Sequence, residues 1–265
     1  MNPLQELLQH KSENLLSLFF TAGYPTLEST THIINTSQKA GIDFLEVGMP
    51  YSDPLADGPV IQQSSTRAIA NGMTIEVLLQ QLAKARGSFS IPLLLMGYLN
   101  PVLQYGTEKF LEKARECGVS GLILPDLPLL EYIEEYQPLF AKYDLSFVFL
   151  VTPHTSEERI RMIDRYTNAF IYVVSTAATT GKQQDFGQMQ KDYFRRLTDM
   201  KLNNPLITGF GIHNAQTLQQ AWQNLNGAIC GSAFLKKLEQ TPDPEKALNL
   251  LLDDLGIAAK TTMNH

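Results

Sequence analysis

A rhythm constrains this chain more than any single residue does. Short apolar runs recur along nearly its whole length, and each is followed by a segment with helical spacing. The runs are 15–25 (LLSLFFTAGYP), 43–48 (DFLEVG), 91–98 (IPLLLMGY), 120–126 (SGLILPD), 145–153 (LSFVFLVTP), 168–176 (NAFIYVVST), 204–211 (NPLITGFG) and 227–233 (GAICGSA). They are continuously apolar rather than alternating, which is the pattern of strands covered on both faces. Strand then helix, repeated, gives right-handed crossovers and a parallel sheet. Eight such units in 265 residues predict an α/β fold, a closed (β/α)8 or TIM barrel. The competing arrangement is an open doubly wound sheet. No GxGxxG follows the first run, which counts against its dinucleotide-binding form.

The helical segments are read at 27–40, 59–70, 74–86, 107–118, 130–142, 156–166, 189–200, 214–224 and 243–254, with Thr74 and Ser156 as N-caps and Gly118 as a C-cap. An extra amphipathic helix over 3–9 precedes the first strand, its leucines placed to plug one end of the fold. No linker or composition shift interrupts the series, so residues 1–265 are expected to form a single domain.

Composition excludes several function classes. The 21 basic and 27 acidic residues leave a net charge of -6, and no Lys/Arg run offers a nucleic-acid footprint. Cys117 and Cys230 lie in or beside apolar segments and read as two buried thiols. The N-terminus lacks the charged lead and small-residue cleavage site of a secretory signal, and no apolar run is long enough to span a membrane. The expectation is a cytoplasmic protein.

In such a barrel the chemistry sits at the C-terminal ends of the strands. After strand two come Glu46, Asp53 and Asp57, within DFLEVGMPYSDPLADGPVIQ (43–62). Glu46 stands inside an apolar run, where an acid is costly unless paired or working. Partial burial near the rim would lift its pKa toward an acid/base range. Asp57 and Asp53 also suit ordinary turns, and Asp126 divides evenly between turn and site. Tyr172 in strand six faces either the barrel interior or the helices. Gly209 and Gly211 after strand seven, Gly231 and Ser232 after strand eight, and Gly181 after strand six suggest a phosphate cradle. Taken singly, each glycine is better read as a tight turn; together, with a short helix starting at Ser232, they favour phosphate. No lysine lies within the strands, so a Schiff-base aldolase is disfavoured. The histidines are scattered without HxH or HExxH, so no metal site is expected. Carboxylate acid/base chemistry on a small phosphorylated molecule remains.

The segment LEVGMPYSDPLADGPVIQ closely resembles the signature of the tryptophan synthase alpha subunit family, LE(I/L)G(V/I)P(F/Y)SDPxADGPxIQ. Flanking matches follow in family order: FFTAGYP (19–25), MGYLNPVLQYG (96–106), GLILPDLP (121–128), TGFGI (208–212) and ICGSAF (229–234). The resemblance implies retro-aldol cleavage of indole-3-glycerol phosphate to indole and glyceraldehyde 3-phosphate, without metal or Schiff base. It implies that Glu46 is the acid/base that protonates indole C3 and that Asp57 hydrogen-bonds the indole N–H. It further implies that Tyr172 supports Glu46, that Phe19 packs on the indole ring, and that Thr180 contacts Asp57. Gly181, Gly211, Gly231 and Ser232 would hold the phosphate. The chain itself would carry no cofactor. Its partner would be a beta subunit bearing pyridoxal phosphate, in an alpha2beta2 heterotetramer, facing the segments of Asp53–Pro54 and Asn100–Pro101. One region departs from the family pattern: STAATTGKQQDF (175–186) has Ala178 where the family carries glycine.

Overall fold

The computed structural model describes residues 2–54, 57–174, 183–209 and 211–258, with 183–187 described by backbone alone. Its strands are β1 (Leu15–Thr21), β2 (Phe44–Gly48), β3 (Leu93–Met96), β4 (Val119–Ile123), β5 (Ser146–Phe147), β6 (Phe149–Val151), β7 (Ile171–Val173), β8 (Leu206–Thr208) and β9 (Gly227–Cys230). All pair in parallel, in the order β5-β4-β3-β2-β1-β9-β8-β7-β6. The two ends of this order are neighbours in the chain, since only Val148 separates β5 from β6. One half of the fifth strand pairs with β4 and the other with β7, so chain continuity closes the ring. Val148 bridges the seam by donating its N–H to the Leu122 carbonyl at 3.0 Å. The continuous strand expected over 145–153 is thus two short ladders. Nine segments fill eight strand positions, and the expected TIM barrel stands.

The strands form because their side chains are buried on both faces. Every residue of β1, β2 and β4 is buried, and Phe20, Phe44, Phe140, Phe147 and Phe170 are among the largest fully buried side chains. The helices between them carry the expected caps. Thr74 accepts from Val77 N–H and Ser156 from Arg159 N–H. Gly118 closes the helix Thr107–Glu116 with a left-handed φ of 88°.

Two helices differ from expectation. The segment read as one helix over 130–142 contains a π-helical turn, Tyr132–Tyr136, between Leu129–Glu131 and Gln137–Lys142. Pro138 has no N–H to bond the carbonyl four residues back, so the ladder is re-spaced there. A helix at Leu99–Tyr105 was not expected at all. The carboxylate of Asp126, from the end of β4, caps it by accepting from Leu99 N–H with both oxygens at 3.0 Å. Asp126 is therefore a helix cap supplied from a neighbouring strand end.

The N-terminal helix Pro3–His10 seals the far end of the barrel. Its Leu4 is fully buried, as is its N-cap Asn2. Asn2 Nδ2 donates to Ser120 O, Asp144 O and Ser146 Oγ, while its Oδ1 accepts from Gln5 N–H. Both cysteines are buried and unpaired. Among the described residues, no helix is long and apolar enough to cross a membrane.

Candidate active site

A cavity of about 680 Å³ opens at the C-terminal ends of the strands, within the range of small-molecule sites. Its lining has two chemical characters. Phe19, Met49, Ile61, Met96, Leu150, Tyr172 and Ile229 give it apolar and ring-bearing walls, with Asp57 and Tyr98 as polar groups. Gly211, His213, Gly231, Ser232, Lys236 and Lys237 add glycine backbone and basic side chains.

Register fixes the direction of the central carboxylate. Glu46 pairs with Phe19 on β1 and Leu94 on β3. Residues in register on parallel strands project to the same face, and Phe19 lines the cavity, so Glu46 points into the barrel. It does not itself line the cavity: it lies one level beneath, with no solvent exposure. Neither carboxylate oxygen has a hydrogen-bond partner among the described residues. Burial raises its pKa well above the ordinary glutamate value and so favours the protonated form.

Tyr172 faces inward, which decides the alternative left open by the sequence. Burial raises its pKa well above the usual phenol value, and the nearby charge of Glu46 adds to that. The hydroxyl is held against the backbone of Gly209. A Cβ on Gly209 would stand 1.8 Å from the Tyr172 oxygen, so only glycine fits there.

Asp57 is partly buried on the segment between β2 and the helix Pro59–Ala70. Burial raises its pKa, and a hydrogen bond from the Tyr98 hydroxyl works in the opposite direction. Gln62 Nε2 donates to its backbone carbonyl at 2.7 Å and anchors the main chain. Asp53, by contrast, is exposed and pairs with Ser52 at its own turn.

Around Gly211, Gly231 and Ser232 the lining is built largely from main chain. The helix Ser232–Gln240 starts at Gly231 without any side-chain cap. Its first-turn N–H groups and its positive end face the cavity that Ser232 and Ala233 line. Gly211 takes a left-handed φ of 80°, which presents its backbone to the same space without a Cβ in the way. His213 Nδ1 lies 2.7 Å from the Gly211 carbonyl and pins that turn. Lys237 is held by Asp254 at 2.7 Å.

Of the residues singled out in the sequence, Phe19, Asp57, Tyr172, Gly211, Gly231 and Ser232 line one cavity, and Glu46 lies just below it. Thr180, Gly181 and Ala178 lie outside the described residues, as does most of the loop expected over 177–187. The helix after it begins at Gln183 rather than near 189. Sequence reasoning missed Tyr98, His213, Lys236 and Lys237. Tyr98 carries no signal of its own in the sequence, standing at the end of an apolar run like any strand-end aromatic. The lysines were detectable as the next helical turn after Ser232.

The family model for the tryptophan synthase alpha chain matches residues 4–260. The chain belongs to the tryptophan synthase alpha chain family. The tryptophan synthase alpha chain of Bacteroides thetaiotaomicron is 48% identical over 255 residues, covering 96% of this chain and 100% of its own. Among solved structures, tryptophan synthase subunit alpha from Legionella pneumophila superposes with a TM-score of 0.86 at 32% identity, covering 96% of this chain and 97% of that one. The tryptophan synthase complex of Pyrococcus furiosus superposes with a TM-score of 0.83 at 30% identity, covering 93% and 100%. As a member of this family the chain is a carbon–carbon lyase of tryptophan biosynthesis that cleaves indole-3-glycerol phosphate to indole and glyceraldehyde 3-phosphate. A lining of apolar side chains together with glycine backbone and two lysines is chemically compatible with a substrate that has an aromatic ring and a phosphate.

Proposed function

We propose that Glu46 is the acid/base of this cleavage, and the observation that carries the assignment is its complete burial at the floor of the cavity, with no hydrogen-bond partner among the described residues. A carboxyl in that setting holds a proton readily. Turned up by a side-chain rotation, it reaches the cavity between Phe19 and Tyr172. There it protonates the ring carbon that bears the glycerol chain, the step that makes the retro-aldol cleavage possible. Asp57 accepts the ring N–H and stabilises the positive charge that develops as the indole tautomerises. Tyr172, kept protonated, orients Glu46, and Phe19 packs on the ring. The N–H groups around Gly211, Gly231 and Ser232 take the phosphate, with Thr180 and Gly181 joining from the loop after β7. The Glu46 carboxylate left by the ring protonation then takes the proton of the glycerol hydroxyl beside the ring; the C–C bond breaks, its electron pair returns to the ring to give indole, and the hydroxyl-bearing carbon leaves as the aldehyde.

The chain then works as one barrel domain in the cytoplasm, bound to a beta subunit in an alpha2beta2 heterotetramer. Pyridoxal phosphate belongs to that partner, and this chain carries no cofactor. Two features support the docking face. Asn100 Nδ2 donates to Tyr51 Oη at 3.3 Å, which joins the Asp53–Pro54 and Asn100–Pro101 segments into one surface. Leu103, on the same helix as Asn100, and Leu130 are large apolar side chains left 49% and 56% exposed.

The test is indole release from indole-3-glycerol phosphate by wild type and Glu46→Gln, with and without a cognate beta subunit. Loss of one general acid/base predicts a kcat about 10²–10⁴-fold lower, with KM and beta binding little changed. Turnover by the variant at the wild-type rate would remove Glu46 from the mechanism.

A further inference from the structure

Asp57 lies on a stretch without regular secondary structure, so something outside its own segment must aim its carboxylate. Tyr98 is the group that touches it. Its hydroxyl donates to the Asp57 carboxylate, and both side chains line the cavity. Tyr98 is itself held firmly. It is buried, and it occupies the N-cap position of the helix Leu99–Tyr105. Asp126 fixes the next residue by accepting from Leu99 N–H. The ring of Tyr51 packs on Tyr98 with centroids 5.4 Å apart. A rigid donor at a helix start thus reaches across to an acid on an irregular segment.

We propose that Tyr98 is a positioning residue for the cleavage reaction: its hydroxyl holds the Asp57 carboxylate with one oxygen turned toward the ring N–H of the substrate. The proposal rests on the reading of Asp57 given above. A hydrogen bond to the charged form of an acid also favours that form, so Tyr98 pulls the Asp57 pKa down against the larger, raising effect of burial. The other titratable groups lining the cavity are Tyr172, His213, Lys236, Lys237 and Asp254, with Glu46 below its floor. None of them contributes to the shift at Asp57.

The test is Tyr98→Phe, which keeps the ring packing and removes the donor. Two quantities are measured. One is the titration of the Asp57 carboxyl carbon by ¹³C NMR in substrate-free protein, assigned by its disappearance in Asp57→Asn. The other is the pH profile of kcat/KM. The expected result is a titration midpoint raised by about one pH unit. The acid limb of the kcat/KM profile moves with it, for an approximately tenfold loss on that limb, while the circular dichroism spectrum is kept. Incorporating 3-fluorotyrosine at position 98, a stronger donor in a ring only slightly larger, moves the midpoint the other way. This second arm holds even where Tyr98→Phe folds poorly. An Asp57 that titrates at the same pH in all three proteins overturns the proposal. So does a midpoint that moves while the kcat/KM profile stays put, since that leaves Tyr98 a merely structural partner. Failure of the underlying reading looks different: Asp57→Asn would turn over at the wild-type rate, whatever the NMR midpoint does.

Discussion

Glu46 is costly to keep, and its cost has a pH signature. Its pKa is higher in the folded protein than in the unfolded chain because burial penalises the carboxylate. The folded state therefore binds the proton more tightly. The stability this gives is fully present below the ordinary glutamate value and is lost as pH rises through the folded one. Glutamine cannot ionise, so Glu46→Gln should gain on wild type in a denaturation series as pH rises above the ordinary glutamate value. A gap that stays constant across that rise would mean that Glu46 titrates alike in both states. This residue was legible in the sequence because its anomaly is local: one acid in an apolar run that stops at a glycine. Tyr98 was not, because an aromatic at a strand end is ordinary until the acid it touches is placed beside it.

At the scale of elements, several acids that look alike in the sequence divide into separate trades. Asp164, in the helix Glu157–Tyr166, is a buried anchor. It accepts from the backbone N–H and the side-chain amide of both Asn203 and Asn204, at 2.8–3.0 Å. Burial pushes its pKa up, but those donors outweigh it and leave the carboxyl below its usual range. Its stabilisation is present above the unfolded value and fades as pH falls through the lowered folded one. Asp164→Ala should cost about 2–3 kcal/mol near neutrality, a deficit that shrinks in acid; chemical denaturation at both ends of that range checks it. Asp126 is an equally structural cap for a helix whose own sequence supplies none. Neither role was legible beforehand, since each depends on a partner brought in by the fold from another segment. The split of the fifth strand was hidden for the same reason: its apolar run is unbroken, and only ring closure reveals that Val148 parts two ladders.

For the whole molecule, the two ends of the barrel do different work. The alternation of runs predicted the barrel because each strand–helix unit repeats the same physical problem of covering two apolar faces. The closed end was only partly foreseen. Leucines marked the N-terminal helix as a plug, but the contact that seats it is Asn2, a polar residue with three acceptors, two of them in buried bonds, and a helix to cap. Asn2→Ala should lower stability by about 2–3 kcal/mol, a fall in Tm of about 5 °C or somewhat more for a chain of this length. KM and kcat should be untouched, because the change lies at the end opposite the cavity. A matched loss of activity at a temperature where the variant is fully folded would count against that separation.

The proposed phosphate cradle has a consequence for how this chain can vary. Its donors are largely main-chain N–H groups, and every residue type except proline carries one. Side-chain replacement reaches such a site only through added bulk or a changed dihedral. Most positions around it are thus free to drift in sequence while the ligand remains bound. One that is not free, Gly211 with its left-handed φ of 80°, is held by backbone shape alone. Recognition of this kind is inherited with the fold rather than spelled out residue by residue. A relative could lose much of its local sequence likeness here and still hold the same phosphate.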